Sequence, residues 1–512
     1  MTPAVETVDV LVVGSGFGGS ITAARVAAPG RKVLVLEEGE RWTGEKFRQS
    51  LDLRYFLSVY RGHGDLFDRT RSPRLLLRSL VEHRQGGGVI IMRGKGVGGG
   101  SLIYSNIHLR APSLCFDLAD DDGRRLWPDA YSRAALDPYY TRVEEILHVR
   151  QLGWNEVSRR AQVLGEGLRR VGRRLDPIRV ALVDCKDCGF CTVGCKFDRK
   201  QSLYLNYIPE AEARGVVFRP QAKARALVPR PDGSWRVLWD DLASGHRRRE
   251  IDARTLVLAA GPIATPVLLL RSKANLKGLS PHVGEHLSLT ADAGFGAVVP
   301  DFVVDGYRGK IISTICYSYL RESGFVFEDL HYLPLASAVS FPTAAESASG
   351  PGPVYWGAEN KALLRHYGRN VLSVGMMGID RNEGRVTLDV DGDARLHWAM
   401  TPHTQRVYDA AREAWREIVR ALGGQVLKDQ FSEEGGVATV HPLATCRMAD
   451  RKEAGVVDPD GQVWGHPNLY VIDGSIVPTS VAVNPSHTIA AIAERLAERL
   501  AARLDGAAAL PH

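Results

Sequence analysis

Hydrophobic and polar positions change style twice along this chain. Val8 to Val13 is a short, mostly apolar run that leads directly into Gly14-Ser15-Gly16-Phe17-Gly18-Gly19, an Ala-rich helical stretch and a second apolar run, Val33 to Leu36. Short apolar runs separated by a glycine turn and a helical stretch predict strand, turn, helix, strand. Thr255 to Ala259 predicts another buried strand, which Gly261-Pro262-Ile263-Ala264-Thr265-Pro266 carries into a helix containing Leu268, Leu269 and Leu270. Between about residues 286 and 435 the pattern shifts to short β-like runs, such as Phe302 to Val304 and Arg385 to Val390, punctuated by Gly, Pro and Asp. These predict a separate sheet-based domain. The C-terminal stretch returns to the first style, with a strand Leu469 to Ile472, a turn at Asp473-Gly474-Ser475 and a final helix after Pro485. Ile489, Ile492, Leu496, Leu500 and Leu504 recur at spacings of three and four, which gives that helix one buried face. Pro485 suits its first turn and Asn484 its cap.

Size and composition narrow the class. A chain of 512 residues exceeds what one hydrophobic core serves, so two or more connected domains are expected. With 45% hydrophobic and 24% charged residues it reads as a globular protein. No run of eighteen apolar residues predicts a membrane span, and the strand starting at Val8 leaves no room for a leader, so a cytoplasmic protein is expected. The net charge of +6 comes from basic residues scattered among nearly as many acids. Clusters such as Arg247, Arg248, Arg249 and Arg69, Arg71, Arg74 read as solvated faces, and a nucleic-acid partner is not expected.

The glycine turns carry the first chemistry. Gly14 permits the tight turn after the first strand, Gly16 lets the backbone approach a pyrophosphate, and Gly19 lets helix and strand pack. The helix N-terminus faces the phosphate charge. Glu37 ends the second strand, where an acid can bind a ribose hydroxyl. An adenine dinucleotide is therefore expected, and this motif alone does not choose between FAD and NAD. A second glycine-rich stretch, from about Gln85 to Ser101, culminates in Gly94-Lys95-Gly96-Val97-Gly98-Gly99-Gly100-Ser101 between the apolar runs Val89-Ile90-Ile91-Met92 and Leu102-Ile103-Tyr104. Successive glycine amides there can line an anionic cofactor.

Four of the seven cysteines form Cys185-x2-Cys188-x2-Cys191-x3-Cys195. Seven cysteines in a chain this long make no disulfide framework. The run has the bacterial ferredoxin spacing without its following proline, whereas zinc sites are built from two well-separated pairs. An iron–sulfur cluster (4Fe-4S or 3Fe-4S) ligated by these four thiolates stands against reduced thiols, or two disulfides, in a surface loop.

Four stretches then resemble the glucose-methanol-choline oxidoreductase family: the N-terminal fingerprint, GKGVGGGSLIYSN at 94–106, AAGPIATPVLLLRS at 259–272, and HPLATCRM with DGSIVPTSVAVNPSHTI at 441–489. The look is that of its cholesterol oxidase-like bacterial members. The resemblance implies an α/β fold with a discontinuous Rossmann-type FAD-binding domain and a β-sheet-based substrate domain with helices. The corresponding division is 1–150, 215–285 and 436–512 for the FAD-binding domain, 286–435 for the substrate domain, and 151–214 for a cysteine-containing insertion. It implies FAD, bound non-covalently because no ring-attachment signature occurs at 94–101. Gly14, Gly16, Gly19 and Glu37 would hold the ADP half, and Gly96, Gly98, Gly99 and Ser101 would lie along the pyrophosphate and flavin. Asp473 and Gly474 would touch the phosphate and ribityl region, and Pro485 would set the last helix beneath the flavin. A helix N-terminus there offers about half a positive charge to a reduced flavin. Certain family sugar dehydrogenases hold a three-iron cluster.

By the same resemblance His441 is the proton acceptor and Asn484 its partner, in the oxidation of an alcohol CH–OH by hydride transfer to flavin N5. Histidine is the side chain most often used for such a proton near neutral pH. The glutamate base expected of cholesterol oxidases has no counterpart before Gly375-Met376-Met377, with Glu359 the nearest acid. Sterol, sugar or aminoglycoside, and secondary-metabolite alcohols stay open as substrates. The electron acceptor is an acceptor protein, slightly favoured with the cluster in mind, or oxygen. Two other classes remain: a flavin-dependent isomerase or lyase using the same pocket, and a non-catalytic electron relay.

Overall fold

Two sheets organise the chain, each assembled from distant segments. The computed structural model describes residues 5–47, 67–71, 89–331, 343–347, 350–354, 369–382, 384–429 and 437–508. The first sheet has seven strands, in the order Val217–Arg219, Val33–Leu36, Glu6–Val13, Arg247–Leu258, Trp235–Asp241 and Ala222–Pro229, with Leu469–Val471 also paired to Arg247–Leu258. The four central pairings are parallel, with Val10 opposite both Val33 and Thr255. Strands buried on both faces need continuous apolar runs, and Val10, Leu11, Val12 and Val35 are fully buried. The helix Phe17–Val26 covers one face and packs against the final helix Ser486–Ala508. Its strand-to-helix turn and the last helix therefore meet at one edge of the sheet.

The second sheet has eight antiparallel strands, running Gly350–Val354, Thr343–Ser347, Gln425–Asp429, Ala293–Val298, Val371–Gly378, Phe325–Asp329, Thr314–Cys316 and Asp176–Pro177. The amphipathic helix Pro402–Ala421 buries Val407, Tyr408, Ala411, Trp415 and Ile418 and donates from Trp415 Nε1 to the carbonyl of Gly296 at 3.2 Å. A small sheet, Val437–Thr439, Val89–Gly94 and Phe67–Arg71, brings the stretch before His441 alongside the second glycine-rich segment.

This is the expected α/β architecture with a discontinuous first sheet and a separate antiparallel one. Arg385–Leu388 is a strand, paired with Ala394–His397. Phe302 to Val304 is not: Phe302 N–H closes a turn on Val299, and Val304 N–H donates to Arg369. The apolar side chains there anchor a loop, a role that a short run cannot signal apart from a strand. The segment 151–214 also does more than insert, since Asp176–Pro177 extends the second sheet. Among the described residues no helix is long and apolar enough to cross a membrane.

Candidate active site

A cavity of about 810 Å³ runs between the two sheets. Its first end is the glycine turn. Gly14 adopts φ +98°, which only glycine takes without strain, and a Cβ on Gly16 would meet nothing within 4 Å. The backbone at Gly16 therefore stands open to the cavity, as a cradle for a bulky group requires. Glu37, fully buried, accepts the Ser15 hydroxyl at 2.7 Å and the backbone N–H groups of Gly39, Ser15 and Gly96 at 2.9, 3.1 and 3.2 Å. Burial raises its carboxyl above the ordinary range, against the pull of these donors. One carboxylate thus ties both glycine-rich segments together while lining the cavity.

The candidate reactive side chains also line it. His441 follows the strand Val437–Thr439, and its Nδ1 lies 2.8 and 3.0 Å from the two carboxylate oxygens of Asp292. The Thr439 hydroxyl donates to Asp292 at 2.5 Å and accepts the His441 backbone N–H at 2.8 Å, and the Thr290 hydroxyl donates to the His441 carbonyl at 3.0 Å. A carboxylate only accepts, so Nδ1 carries the proton and Nε2 keeps its lone pair.

Across the cavity, Asn484 Nδ2 lies 3.5 Å from Glu328 Oε2. Glu328 stands on Phe325–Asp329 opposite Gly375. Its neighbour Asp329 points to the other face, as the strand period demands. There Asp329 pairs with the buried Arg160 at 3.1 Å and accepts the N–H groups of Ser313 and Thr314 at 2.7 and 2.6 Å. Burial holds the Glu328 carboxyl well above the carboxylate range, with the Asp329 and Asp292 charges adding to it and Asn484 opposing. Burial thus favours the neutral form of Glu328. Its Oε1 and Asn484 Oδ1 are buried without a hydrogen-bond partner among the described residues. An orphaned buried polar atom costs about 1–3 kcal/mol, so both call for a polar group in the cavity. The surrounding wall is apolar: Phe295, Ile311, Ile312, Leu330, Met376 and Met377.

Models of the GMC oxidoreductase family match residues 8–291 and 380–493. The chain belongs to the GMC oxidoreductase family. It is similar to a cholesterol oxidase of Mycobacterium tuberculosis, with 29% identity over 96% of this chain and 90% of that protein. A long-chain-alcohol oxidase of Arabidopsis thaliana is 25% identical over 96% of this chain and 67% of that protein. Among solved structures it resembles pyridoxine 4-oxidase from Mesorbium loti, at 18% identity and a TM-score of 0.67, covering 96% of this chain and 99% of that one. Membership gives the GMC chain a Rossmann-type FAD-binding domain, FAD as cofactor and alcohol oxidation as its general reaction.

Set against this GMC fold, the residues singled out from sequence fall into two groups. Gly14, Gly16, Glu37, Gly99, His441, Asn484 and Pro485 line the cavity. Gly19, Gly96, Gly98, Ser101, Asp473 and Gly474 stand behind its wall. A Cβ on Gly19 would collide with the Gly14 carbonyl, so its smallness serves packing. The Ser101 hydroxyl donates to the Gly98 carbonyl at 2.7 Å. Asp473 is occupied by Gly261 N–H, the Thr265 hydroxyl and Ser475 N–H at 2.8, 2.6 and 2.8 Å, fixing the turn that leads into the helix Gly261–Arg271. Asn484 turns its side chain to Glu328 instead of capping the last helix, whose first bond runs from Ile489 N–H to the Pro485 carbonyl at 2.9 Å. Sequence reasoning missed Asp292 and found no acid in the place of Glu328. Its alternative, Glu359, lies outside the described residues.

The cysteine run is not arranged as a metal-binding group among the described residues. No group of three or more His, Cys, Asp or Glu is arranged to hold a metal among the described residues, and all seven cysteines are unpaired. Cys185 and Cys188 sit half-buried while Cys191 and Cys195 turn inward. The inward thiols have other company: Cys191 Sγ accepts from Asn106 Nδ2 at 3.4 Å, and Cys195 Sγ from Arg199 N–H at 3.4 Å. Burial pushes the Cys191 thiol up to about 12. Ligation needs four thiolates converging on one point, and as they stand here these thiols form no such group, so an iron–sulfur cluster is not supported.

Proposed function

We propose that this chain oxidises the CH–OH group of an apolar alcohol, of the sterol or long-chain kind, to a carbonyl. The observation that carries this reading is that His441, Asn484 and Glu328 line one cavity, Asn484 and Glu328 in contact, and that the same cavity is walled by Phe295, Ile311, Ile312, Leu330, Met376 and Met377. Bound FAD supplies the hydride acceptor, held by the turn at Gly14–Gly16, Glu37 and the segment around Gly99. The substrate hydroxyl docks against Nε2 of His441, which takes its proton, while the Asn484 amide and the Glu328 carboxyl hold the oxygen. Positioned acid–base groups of this kind are worth about 10²–10⁴ in rate. The apolar side chains of that wall favour a hydrophobic alcohol, so sugars and aminoglycosides drop behind. By likeness to the two relatives named as oxidases, we take oxygen as the acceptor rather than a partner protein. The division into an FAD-binding domain (1–150, 215–285, 436–512), a substrate domain (286–435) and a linking segment (151–214) belongs to the same reading.

A second step has its own observation. Glu328 faces the cavity, and as a carboxylate it could take the proton from the carbon beside a newly formed carbonyl and return it at the far end of a neighbouring double bond, which would move that double bond after oxidation.

The test is anaerobic. Protein purified yellow with about one FAD per chain should bleach with a 3-hydroxysterol or a long-chain alcohol, and not with glucose. His441→Ala should keep its flavin and lose bleaching rate on the order of a hundredfold. Reduction of the His441→Ala flavin at the wild-type rate would overturn the assignment.

A further inference from the structure

We propose that Asp292 is a positioning residue for the reaction, fixing the tautomer of His441 and countering the charge it gains. The proposal rests on the reading of His441 as the proton acceptor. Asp292 stands at the start of the strand Ala293–Val298 in the second sheet, while His441 follows a strand of the small third sheet. The contact therefore joins two separately built parts of the protein.

Three features set Asp292 apart from a structural acid. Both of its oxygens lie within 3.0 Å of His441 Nδ1. Its side chain is 11% exposed, yet among the described residues no Lys or Arg pairs with it, and its side-chain donors are the Thr439 hydroxyl and the imidazole. A carboxylate held this way is costly unless a positive charge arrives beside it. Two other buried acids contrast with it: Asp329 has Arg160, and Glu494 has Arg25 at 2.8 Å.

The reaction brings that charge. The substrate O–H bond breaks and its proton goes to Nε2, the C–H electron pair leaves as hydride to the bound cofactor, and the carbonyl forms between them. Nδ1–H stays donated to Asp292 throughout, so the imidazolium is born next to a negative charge. Without Asp292 the ring is free to adopt the tautomer with its proton on Nε2, which cannot accept another. Thr439 reinforces the arrangement by holding Asp292 with its hydroxyl and His441 with the same oxygen.

The experiment compares Asp292→Asn, Asp292→Ala and Thr439→Val, alone and combined with His441→Ala. In anaerobic flavin reduction the Asp292 variants should slow on the order of tenfold or more, Thr439→Val by less, with flavin content and melting temperature near wild type. In the His441→Ala background the Asp292 loss should vanish, because a residue acting through another is non-additive with it. A second readout needs no turnover. In deflavinated protein, diethyl pyrocarbonate labelling of His441, mapped by peptide mass spectrometry, should slow when Asp292 is replaced, since the free lone pair is no longer fixed at Nε2. An Asp292 loss that persists in full over His441→Ala, or unchanged labelling of His441, would refute the proposal. If His441→Ala itself proves fully active, the acceptor assignment falls, and the labelling rate alone still decides whether Asp292 fixes the ring.

Discussion

Glu328→Gln separates a neutral buried acid from a buried carboxylate by stability alone. The folded protein holds this carboxyl protonated well above its usual range, mainly through burial. The sign follows from linkage: a group whose folded value is raised contributes stability fully present below its unfolded value, near 4.5, and lost as pH rises toward the folded value. Over that window wild type should lose up to about 1.4 kcal/mol per pH unit relative to Gln, which has the same shape and no titration. An unfolding entropy of about 2.1 cal/mol/K per residue gives a chain of this size about 1 kcal/mol/K. Raising the pH from 6 to 8 should then lift the melting temperature of Glu328→Gln over wild type by up to about 3 °C. Scanning both proteins by tryptophan fluorescence, with flavin and without, measures the difference. Oxidation should survive in the variant, within about tenfold, while any double-bond migration in the product stops. A melting difference that does not grow between pH 6 and 8 would show that burial does not hold Glu328 in its neutral form, and the reasoning from burial would fall with it.

Two further outcomes follow from groups away from the reacting end. Lys200 Nζ, fully buried, donates to the carbonyls of Leu102, Cys191 and Tyr104 at 2.8, 2.8 and 3.1 Å, so Lys200→Met should leave three carbonyls unpaired, lower the melting temperature and weaken FAD retention, read by flavin release on gel filtration. Burial lowers His487 and His286 to about 3 and His331 to about 4. The neutral forms are required in the fold, so stability present above pH 6.5 should fall as the pH drops. His487 alone accounts for about 2 kcal/mol at pH 5, and His487→Gln should flatten the Tm-versus-pH slope below 6.5.

The cofactor end was legible because its signals are local. A glycine at φ +98°, an open Cβ position at Gly16 and an acid at the end of a strand are properties of a few consecutive residues, and apolar runs announce the strands that frame them. His441 and Asn484 were found through motif resemblance. Their partners were not, for a physical reason. A search for an acid next to Gly375 looked along the chain, whereas Glu328 reaches that place across an antiparallel ladder from the strand Phe325–Asp329. A mark was there: Glu328 and Asp329 together end an otherwise apolar strand, where burying two acids demands partners. Asp292 carried less, a single acid in a small-residue stretch. Asn484 read as a helix cap because a cap is its commonest local role, and a contact with a strand 156 residues away leaves no local trace.

The cysteine segment shows how a spacing can be informative about place while misleading about chemistry. Thr192, inside the run, lines the cavity, and Val193 packs with Leu102, Ile103 and Phe47. Lys200 bridges this run to the loop after the glycine segment, and Asn106 reaches back to Cys191. Compactness explains the four small side chains better than ligation does. The loop has a 3₁₀ turn at Cys191–Val193 and is tight at its end, where a Cβ on Gly194 would collide with the Phe47 ring. Free cysteine behaves there as a small apolar residue. The segment 151–214 joins the second sheet through Asp176–Pro177 and the loop after the glycine segment through Lys200, and disturbing it should be felt first in cofactor retention.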